Sequence, residues 1–306
     1  MAYKIPGSIL SGGPARGIAL ITASVFLLSL SDALVKLSGV RFALVQLIFL
    51  RSFFAALLLA LGLTLFARGS RLVPQRLGWV TARSLCLVSM WFCYYASLPE
   101  LPFSLAAACY YTAPLWMALL ARFILKEPVG LVRWCAIVIA LVGVVVSVNP
   151  AAGSASPFVL LPLLAAFFYA LAAIITWSKC RDEAPFAMAL NLNVALAAAG
   201  AAGIATLQLF PTGDGFVFAA WRPLDASYWA VIGLLAVFLV AITTGVAAAY
   251  RAAPAPVVGL FDNAYLVFAA LWSVVIFADH PSALEIVGLV MIGFGAVMAA
   301  RPPRTR

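Results

Sequence analysis

The sequence has few charged residues. Only 9% of its 306 residues are Asp, Glu, Lys or Arg, whereas 66% are hydrophobic. A soluble protein needs a polar surface around its core, so this composition excludes a soluble globular fold. The longest stretch without strong apolar character runs only from about residue 211 to 226, which leaves no room for a soluble catalytic or nucleic-acid-binding domain. The sequence therefore predicts an integral membrane protein.

The residue patterns of membrane enzymes are also lacking. The chain has one histidine, no G-x-S-x-G or H-E-x-x-H motif, and no Gly-rich ATP-binding loop. No cluster of metal-ligating residues stands out in the sequence. We therefore expect no enzymatic activity, no bound metal and no cofactor. The net charge of +9 is scattered along predicted loops, so nucleic acid is not an expected partner.

Long apolar segments make up most of the chain. A hydrocarbon core about 30 Å thick requires roughly 20 apolar residues per helical crossing, and the composition suffices for about ten. The segments fall at about 17–38, 42–66, 77–98, 101–123, 129–148, 157–178, 186–210, 227–250, 254–277 and 282–300. The expected fold is an all-α polytopic membrane protein with ten transmembrane helices.

The basic residues predict how these helices are oriented. With the N-terminus inside, 14 of the 19 Lys and Arg residues fall on the cytoplasmic side and two on the opposite side. Cytoplasmic loops of membrane proteins carry such an excess. The sequence therefore predicts a bacterial-type inner membrane protein with both termini in the cytoplasm.

Two motifs recur at a spacing of about half the chain. A Tyr-x-x-x-Pro motif begins at Tyr95 and again at Tyr250, and a proline follows charged or polar residues at Pro128 and at Pro281. The spacings are 155 and 153 residues. A repeat of five helices must sit in the membrane the opposite way up from its copy. We predict two inverted five-helix repeats, residues 1–150 and 151–306; the alternative is chance coincidence among 18 prolines.

Several longer motifs carry a family resemblance. They are Ser31-Asp-Ala-Leu-Val-Lys36, Leu50-Arg51, the run from Tyr94 to Ala106, Tyr111-Thr-Ala-Pro-Leu-Trp, Leu125-Lys-Glu-Pro, and Gly143-Val-Val-Val-Ser-Val-Asn-Pro150. In these motifs the chain resembles the EamA family of the drug/metabolite transporter superfamily. The resemblance implies ten helices in two inverted halves, around a central cavity lined mainly by helices 1, 3, 4, 6, 8 and 9. It implies no particular substrate.

Ionisable residues inside the predicted helices are candidates for the binding site. Placing a charge in hydrocarbon costs about 2.5–3.5 kcal/mol or more, so such residues need a reason to be there. Asp32 and Lys36 are four positions apart and are expected to form an intrahelical pair. This pair either binds a charged or zwitterionic solute or has a structural role near the outer end of the helix. Arg51 and Pro114 are predicted to be structural or gating residues, with Asp32 as the partner of Arg51.

Asp262 and a set of aromatic residues complete the candidate site. Asp262 has no basic neighbour at helical spacing, which favours either a protonated state or contact with water. Buried tyrosines need hydroxyl partners, and a wet cavity supplies them; ordinary aromatic packing is the alternative. The predicted substrate-binding residues are Asp32, Lys36, Trp91, Tyr94, Tyr95, Tyr111, Asp262 and Tyr265. Asp32 and Asp262 are the candidates for proton coupling.

These features favour a secondary active or exchange transporter that works by alternating access. The mixed charges and tyrosines suit a small polar, zwitterionic or amphipathic metabolite, such as an amino acid or a derivative. The expected partners are this metabolite, membrane lipids, and a coupled proton or counter-solute. The alternatives are an importer of an adenosyl-type metabolite such as S-adenosylmethionine, or a channel-like membrane subunit without transport activity.

Overall fold

All regular secondary structure in the described part of the chain is helical. The computed structural model describes residues 14–39, 41–66, 73–124, 126, 130–148, 156–180, 182–211, 213–252, 261–279 and 281–300. Both predicted cytoplasmic termini lie outside these ranges, as do Pro128 and the prolines that follow Tyr250.

The helices are α1 (Pro14–Ser38), α2 (Leu44–Phe66), α3 (Leu77–Ser97), α4 (Phe103–Tyr110), α5 (Ala113–Ile124), α6 (Leu131–Val148), α7 (Leu160–Lys179), α8 (Pro185–Leu209), α9 (Ala226–Ala252), α10 (Ala264–Val275) and α11 (Ala283–Ala300). A 3-10 turn, Pro157–Val159, leads into α7. Each of the ten predicted segments contains helix, and the fourth contains both α4 and α5.

Six helical stretches in the described ranges are long and apolar enough to cross a membrane. They are Ala15–Ser38, Leu44–Gly62, Phe103–Ile124, Pro157–Lys179, Pro185–Leu209 and Ala226–Val246. Three further apolar helices are shorter: Trp134–Ser147, Ala264–Val275 and Ala283–Gly295. The chain is thus an all-helical, multi-pass membrane protein, and the number of ten crossings stays a prediction.

Aliphatic side chains cover much of the outside of the helix bundle, while two charged side chains are buried inside it. Leu57, Val138 and Val290 are more than half exposed, whereas Asp32 and Arg51 are 3% and 1% exposed. In a bilayer the outward aliphatic side chains contact lipid tails, and the charged side chains are shielded inside the bundle.

The helices pack in pairs drawn from opposite ends of the chain. α1 packs against α9 and α10, and α7 packs against α3, α4 and α5. We call α1, α9 and α10 the first helix group, and α3, α4, α5 and α7 the second helix group. α2 packs against α8 and α9, α3 also packs against α8, and α4 meets α10. The two groups therefore face each other in the middle of the molecule.

The contact between α6 and α11, which we call the α6–α11 seam, brings two backbones together. A Cβ added at Gly143 would lie 2.8 Å from the carbonyl oxygen of Gly288 and 3.0 Å from the amide nitrogen of Ile292. A Cβ added at Gly295 would lie 2.8 Å from the carbonyl oxygen of Ala136. Since these distances are shorter than van der Waals contact, only glycine allows this approach, and small residues generally mediate such packing in membranes.

Candidate functional site

A buried carboxylate lies where the two helix groups meet. Asp32 on α1 is 3% exposed, and its two oxygens accept hydrogen bonds from different helices. The Tyr95 hydroxyl on α3 donates to Oδ1 at 3.1 Å, and the Tyr265 hydroxyl on α10 donates to Oδ2 at 2.7 Å. The acid is therefore held by direct side-chain contacts and does not face open solvent, in contrast to the wet cavity expected from the sequence.

Further aromatic side chains surround this carboxylate. The hydroxyls of Tyr94 and Tyr265 are 2.9 Å apart, and the ring of Tyr111 stacks on that of Tyr265 with centroids 5.0 Å apart. The Tyr111 hydroxyl donates to the main-chain oxygen of Asp262 at 3.3 Å. Most of these contacts join the first helix group to the second.

Arg51 extends the polar network into α2. Its Nη1 donates to the hydroxyl of Tyr95, and its guanidinium carbon lies 4.5 Å from the centre of the Trp91 ring. The predicted partnership with Asp32 is therefore indirect, because the Tyr95 hydroxyl stands between the two. We call Asp32, Arg51, Tyr94, Tyr95 and Tyr265 the Asp32 cluster.

Lys36 does not pair with Asp32, which corrects the expected intrahelical pair. Its ammonium donates to the main-chain oxygens of Leu98 and Leu101, at 2.7 and 2.5 Å, where α3 turns into α4. The carbonyls at a helix C-terminus lack intrahelical partners and attract cations. Because these carbonyls take the lysine and two tyrosines take the acid, the two charges separate although they share a helix face.

Asp262 lies at the edge of this region. It is half-buried and directly precedes the turn at Asn263 from which α10 starts. Its main-chain oxygen binds Tyr111, and its carboxylate accepts no hydrogen bond from a residue in the described ranges. Asp262 thus stays a candidate by position, whereas Tyr265 contacts Asp32 directly.

The fourth predicted segment is broken beside the cluster. α4 ends at Tyr110 and α5 begins at Ala113, with Thr112 donating its hydroxyl to the carbonyl oxygen of Cys109 at 2.7 Å. Pro114 explains the break, because it lacks an amide hydrogen and its ring would clash with the carbonyl of Tyr110 in a continuous helix. Pro114, predicted as a structural or gating residue, thus lies just after a two-residue interruption of the helix, and a second interruption occurs at Asn263.

The first half of the chain matches a known family. Residues 15–149 match the model of the EamA-like transporter family. Over these residues, a little less than half of the chain, the sequence is similar to the EamA family of the drug/metabolite transporter superfamily. The EamA region contains Asp32, Arg51 and the tyrosines of α3, whereas Tyr265 lies beyond it. The cluster thus joins the EamA region to the second half of the chain.

Several transporters from other bacteria are similar to this chain at low sequence identity. A Rickettsia felis protein named as an S-adenosylmethionine uptake transporter is 26% identical over 90% of this chain and 89% of its own length. One of the same name from Rickettsia prowazekii is 28% identical over 52% of this chain, and a Brucella anthropi protein named as a riboflavin transporter is 27% identical over 64%. These two alignments span 54% and 65% of the relatives' lengths.

A solved structure shares the fold. It matches with a TM-score of 0.61 at 22% sequence identity, covering 92% of this chain and 97% of that one. The agreement over nearly the whole chain extends the fold assignment beyond the EamA region into the second half.

Two further tyrosines, Tyr110 and Tyr169, extend the group of aromatic side chains around Asp32. Neither is among the predicted substrate-binding residues. The ring centroid of Tyr110 lies 5.1 Å from that of Tyr94 and 5.7 Å from that of Tyr169 on α7. Their position inside apolar segments was the available signal, because an intramembrane tyrosine needs a polar partner. No group of three or more His, Cys, Asp or Glu residues that could hold a metal occurs in the described ranges.

Proposed function

We propose that this EamA-like protein is a secondary transporter of a small polar, zwitterionic or amphipathic metabolite, and that it works by alternating access. One observation carries the proposal: a buried aspartate is bound by tyrosines from both helix groups, beside two interrupted helices. Interrupted helices at the interface of repeats typically form the substrate sites of secondary transporters. Buried ionisable groups in membrane helices commonly mark such pathways.

The helix packing supports a relation between two five-helix halves, residues 1–150 and 151–306. If each helix is replaced by its counterpart in the other half, the contact between α1 and α9 becomes that between α7 and α3. In the same way α1–α10 becomes α7 with α4 and α5, and α2–α9 becomes α8–α3; all of these contacts occur in the structure. The pairs α2–α8, α4–α10 and α6–α11 map onto themselves. The packing of α11 on α4 and α5 has no such counterpart in the described ranges. Halves of five helices each must have opposite orientations in the membrane.

The α6–α11 seam supports the same relation at the level of single residues. Its close contacts involve three pairs of positions separated by 152 residues: Gly143 with Gly295, Ala136 with Gly288, and Ala140 with Ile292. Gly143 approaches Gly288 and Ile292, and Gly295 approaches Ala136 and Ala140. Replacing each residue by its partner 152 positions away converts the first set of contacts into the second. This spacing agrees with the repeat predicted from the proline motifs.

In the proposed cycle the two helix groups separate on one side of the membrane at a time. The hydrogen bond between Asp32 and Tyr265 lies within the first group, so it travels with that group. The bonds of Asp32 and Tyr265 to Tyr95 and Tyr94 link the groups, and a bound solute takes their place. Protonation of Asp32 turns one of its two accepting oxygens into a hydrogen-bond donor, which gives a proton-coupled mechanism a defined site.

The solute we favour is an amino acid or a derivative. A carboxylate beside hydroxyls and aromatic rings binds an ammonium or another cationic group. The relative that aligns over 90% of this chain is named as an S-adenosylmethionine uptake transporter, which makes that cationic amino acid derivative the second candidate. The proposed location is a bacterial-type inner membrane with both termini cytoplasmic, and the proposed driving force is a proton or counter-solute gradient.

The test is a thermal-shift screen of the purified protein against a metabolite library, followed by uptake into proteoliposomes. A transported solute raises the melting temperature, because it binds the folded state selectively. Uptake should saturate with solute and increase when the same solute is present on the far side. Uptake that does not saturate and shows no such exchange would indicate a channel-like subunit. For orientation, cysteines introduced at Ser70 and Ser154 in a cysteine-free background should label from opposite sides.

A further inference from the structure

Arg51 uses only part of its hydrogen-bonding capacity within the described ranges. The side chain is 1% exposed, and its Nη1 binds the hydroxyl of Tyr95. Its Nε and Nη2 have no hydrogen-bond partner in the part of the chain that the structure describes. Unpaired buried donors destabilise a fold, so each such group in a native structure needs a physical explanation.

The two unpaired nitrogens form one edge of the guanidinium. The Nε–H and one Nη2–H bond point in parallel directions in the plane of the group, at the spacing of the two oxygens of a carboxylate. Arginine binds carboxylates in this bidentate way, and a lysine ammonium does not reproduce the geometry. Tyr95 occupies another nitrogen and Trp91 covers a face of the group, so the free edge is the position left for a ligand.

The nearby acid does not occupy this edge. Asp32 accepts hydrogen bonds from Tyr95 and Tyr265, and Tyr95 separates it from Arg51. A carboxylate has about four lone-pair positions, so Asp32 keeps capacity to accept bonds from a cationic group. The buried carboxylate of Asp32 and the buried guanidinium of Arg51 thus lie on opposite sides of the Tyr95 hydroxyl.

We infer that Arg51 binds the carboxylate of the transported solute through its Nε–Nη2 edge, while Asp32 receives the cationic group. Transport of the bound solute rests on the proposed function, whereas the anion site rests on the geometry of Arg51 alone. Arg51 is then a substrate-binding residue, in addition to the structural role predicted from the sequence. The arrangement selects solutes that carry a carboxylate next to a positive charge.

Arg83 provides a matched control. It is a second arginine within a helix and is half-buried; its Nη1 also has no partner among the described residues, but its Nε donates to the hydroxyl of Thr176 at 2.9 Å. Its Nε–Nη edge is therefore already in use, so removing its charge should not affect a carboxylate site at Arg51.

The experiment uses acetate as the probe. The melting temperature of the purified full chain is measured in sodium acetate, acetamide and sodium chloride at equal concentrations. We expect acetate to stabilise the protein, with an affinity roughly tenfold or more above that of acetamide, because hydrogen bonds to charged groups are the stronger ones. Arg51→Gln and Arg51→Lys should lose the acetate response, and Arg83→Gln should keep it. Absence of an acetate-specific response in the wild-type protein, or its persistence in Arg51→Gln, would overturn the anion site.

A transport arm separates this inference from the proposed function. Wild-type proteoliposomes are tested with L-phenylalanine, its primary amide, S-adenosylmethionine and riboflavin. Preference for the carboxylate-bearing probes, lost in Arg51→Lys, supports the inference. Equal uptake of the amide, or uptake of riboflavin alone, defeats the role of Arg51 in transport and leaves the transporter function intact. Acetate binding without uptake of any probe defeats transport of this solute class while the anion site stands.

Discussion

The α6–α11 seam and the Asp32 cluster join the same two halves of the chain in different ways. In the seam, glycines let one backbone lie against the other, with no room for an added Cβ at Gly143. In the cluster, the halves meet through the terminal atoms of tyrosines and one aspartate. A backbone contact cannot open without losing its packing, whereas a hydroxyl changes partners by a small rotation. We infer that the seam stays closed during transport, whereas the bonds that Tyr94 and Tyr95 make in the cluster open.

The largest effect is expected from Asp32→Asn. The substitution keeps the shape of the side chain but removes the charge to which two tyrosines donate. Since each hydrogen bond to a charged group contributes about 1.5–3 kcal/mol, uptake should fall by roughly a hundredfold or more. Initial uptake rates in proteoliposomes measure the loss. Asp182→Asn, at an exposed position, is the control that should transport normally; near-normal uptake by Asp32→Asn would remove the cluster from the mechanism.

Tyr265→Phe should have the next largest effect. It deletes the hydroxyl that binds both Asp32 and Tyr94 without changing ring packing. A loss of roughly tenfold to a hundredfold in uptake is expected, because one hydrogen bond to a charged acceptor disappears. Tyr228→Phe on α9 serves as the comparison, and equal behaviour of the two variants would show that the Tyr265 hydroxyl is dispensable.

Gly143→Ala tests the seam itself. The added methyl group would meet the main chain of α11, and overpacking of this kind costs about 1–3 kcal/mol. Gly233→Ala on α9 has nothing within 4 Å of the new Cβ, so it should be neutral or stabilise by up to about 1 kcal/mol. Thermal unfolding in detergent compares the two variants. If both melt like the wild-type protein, the seam is looser than its glycines indicate.

Lys36→Met is expected to have the smallest effect. Loss of the bonds to Leu98 and Leu101 is largely offset because methionine removes the cost of burying a charge, so stability should fall by only about 1 kcal/mol. Combined with Asp32→Asn, the loss in thermal stability should be additive to within about 0.5 kcal/mol, because the two charges do not pair. A double variant that is more stable than additivity predicts would restore the intrahelical pair.

The sequence predicted the members of the cluster better than their partners. The cost of polar groups in hydrocarbon singled out Asp32, Tyr94, Tyr95 and Tyr265, and the structure brings these four together. Helical spacing predicted that Lys36 pairs with Asp32, yet the carbonyl oxygens that accept its hydrogen bonds belong to residues 62 and 65 positions further along the chain. Spacing detects only neighbours on the same helix. It carries no information about main-chain carbonyls that another helix end presents.

The contacts of Arg51 with Tyr95 and Trp91 were not predicted, for a related reason. Depth within an apolar segment indicated that it must face protein, which the structure bears out at 1% exposure. The family resemblance implied that its helix lies behind the cavity, so a structural role followed. Only the packing of α2 and α3 shows that the guanidinium reaches Tyr95 and Trp91.

The contact of Lys36 with the α3–α4 turn has a consequence for the mouth of the pathway. It ties the first helix group to the second at one end of the bundle, the end expected to face outward in the proposed orientation. If the groups part there, the ammonium loses its two carbonyl partners and becomes hydrated. The ammonium would then be exposed to water only in the open state, where it would offer the carboxylate of an approaching solute an attraction that is covered in the closed state.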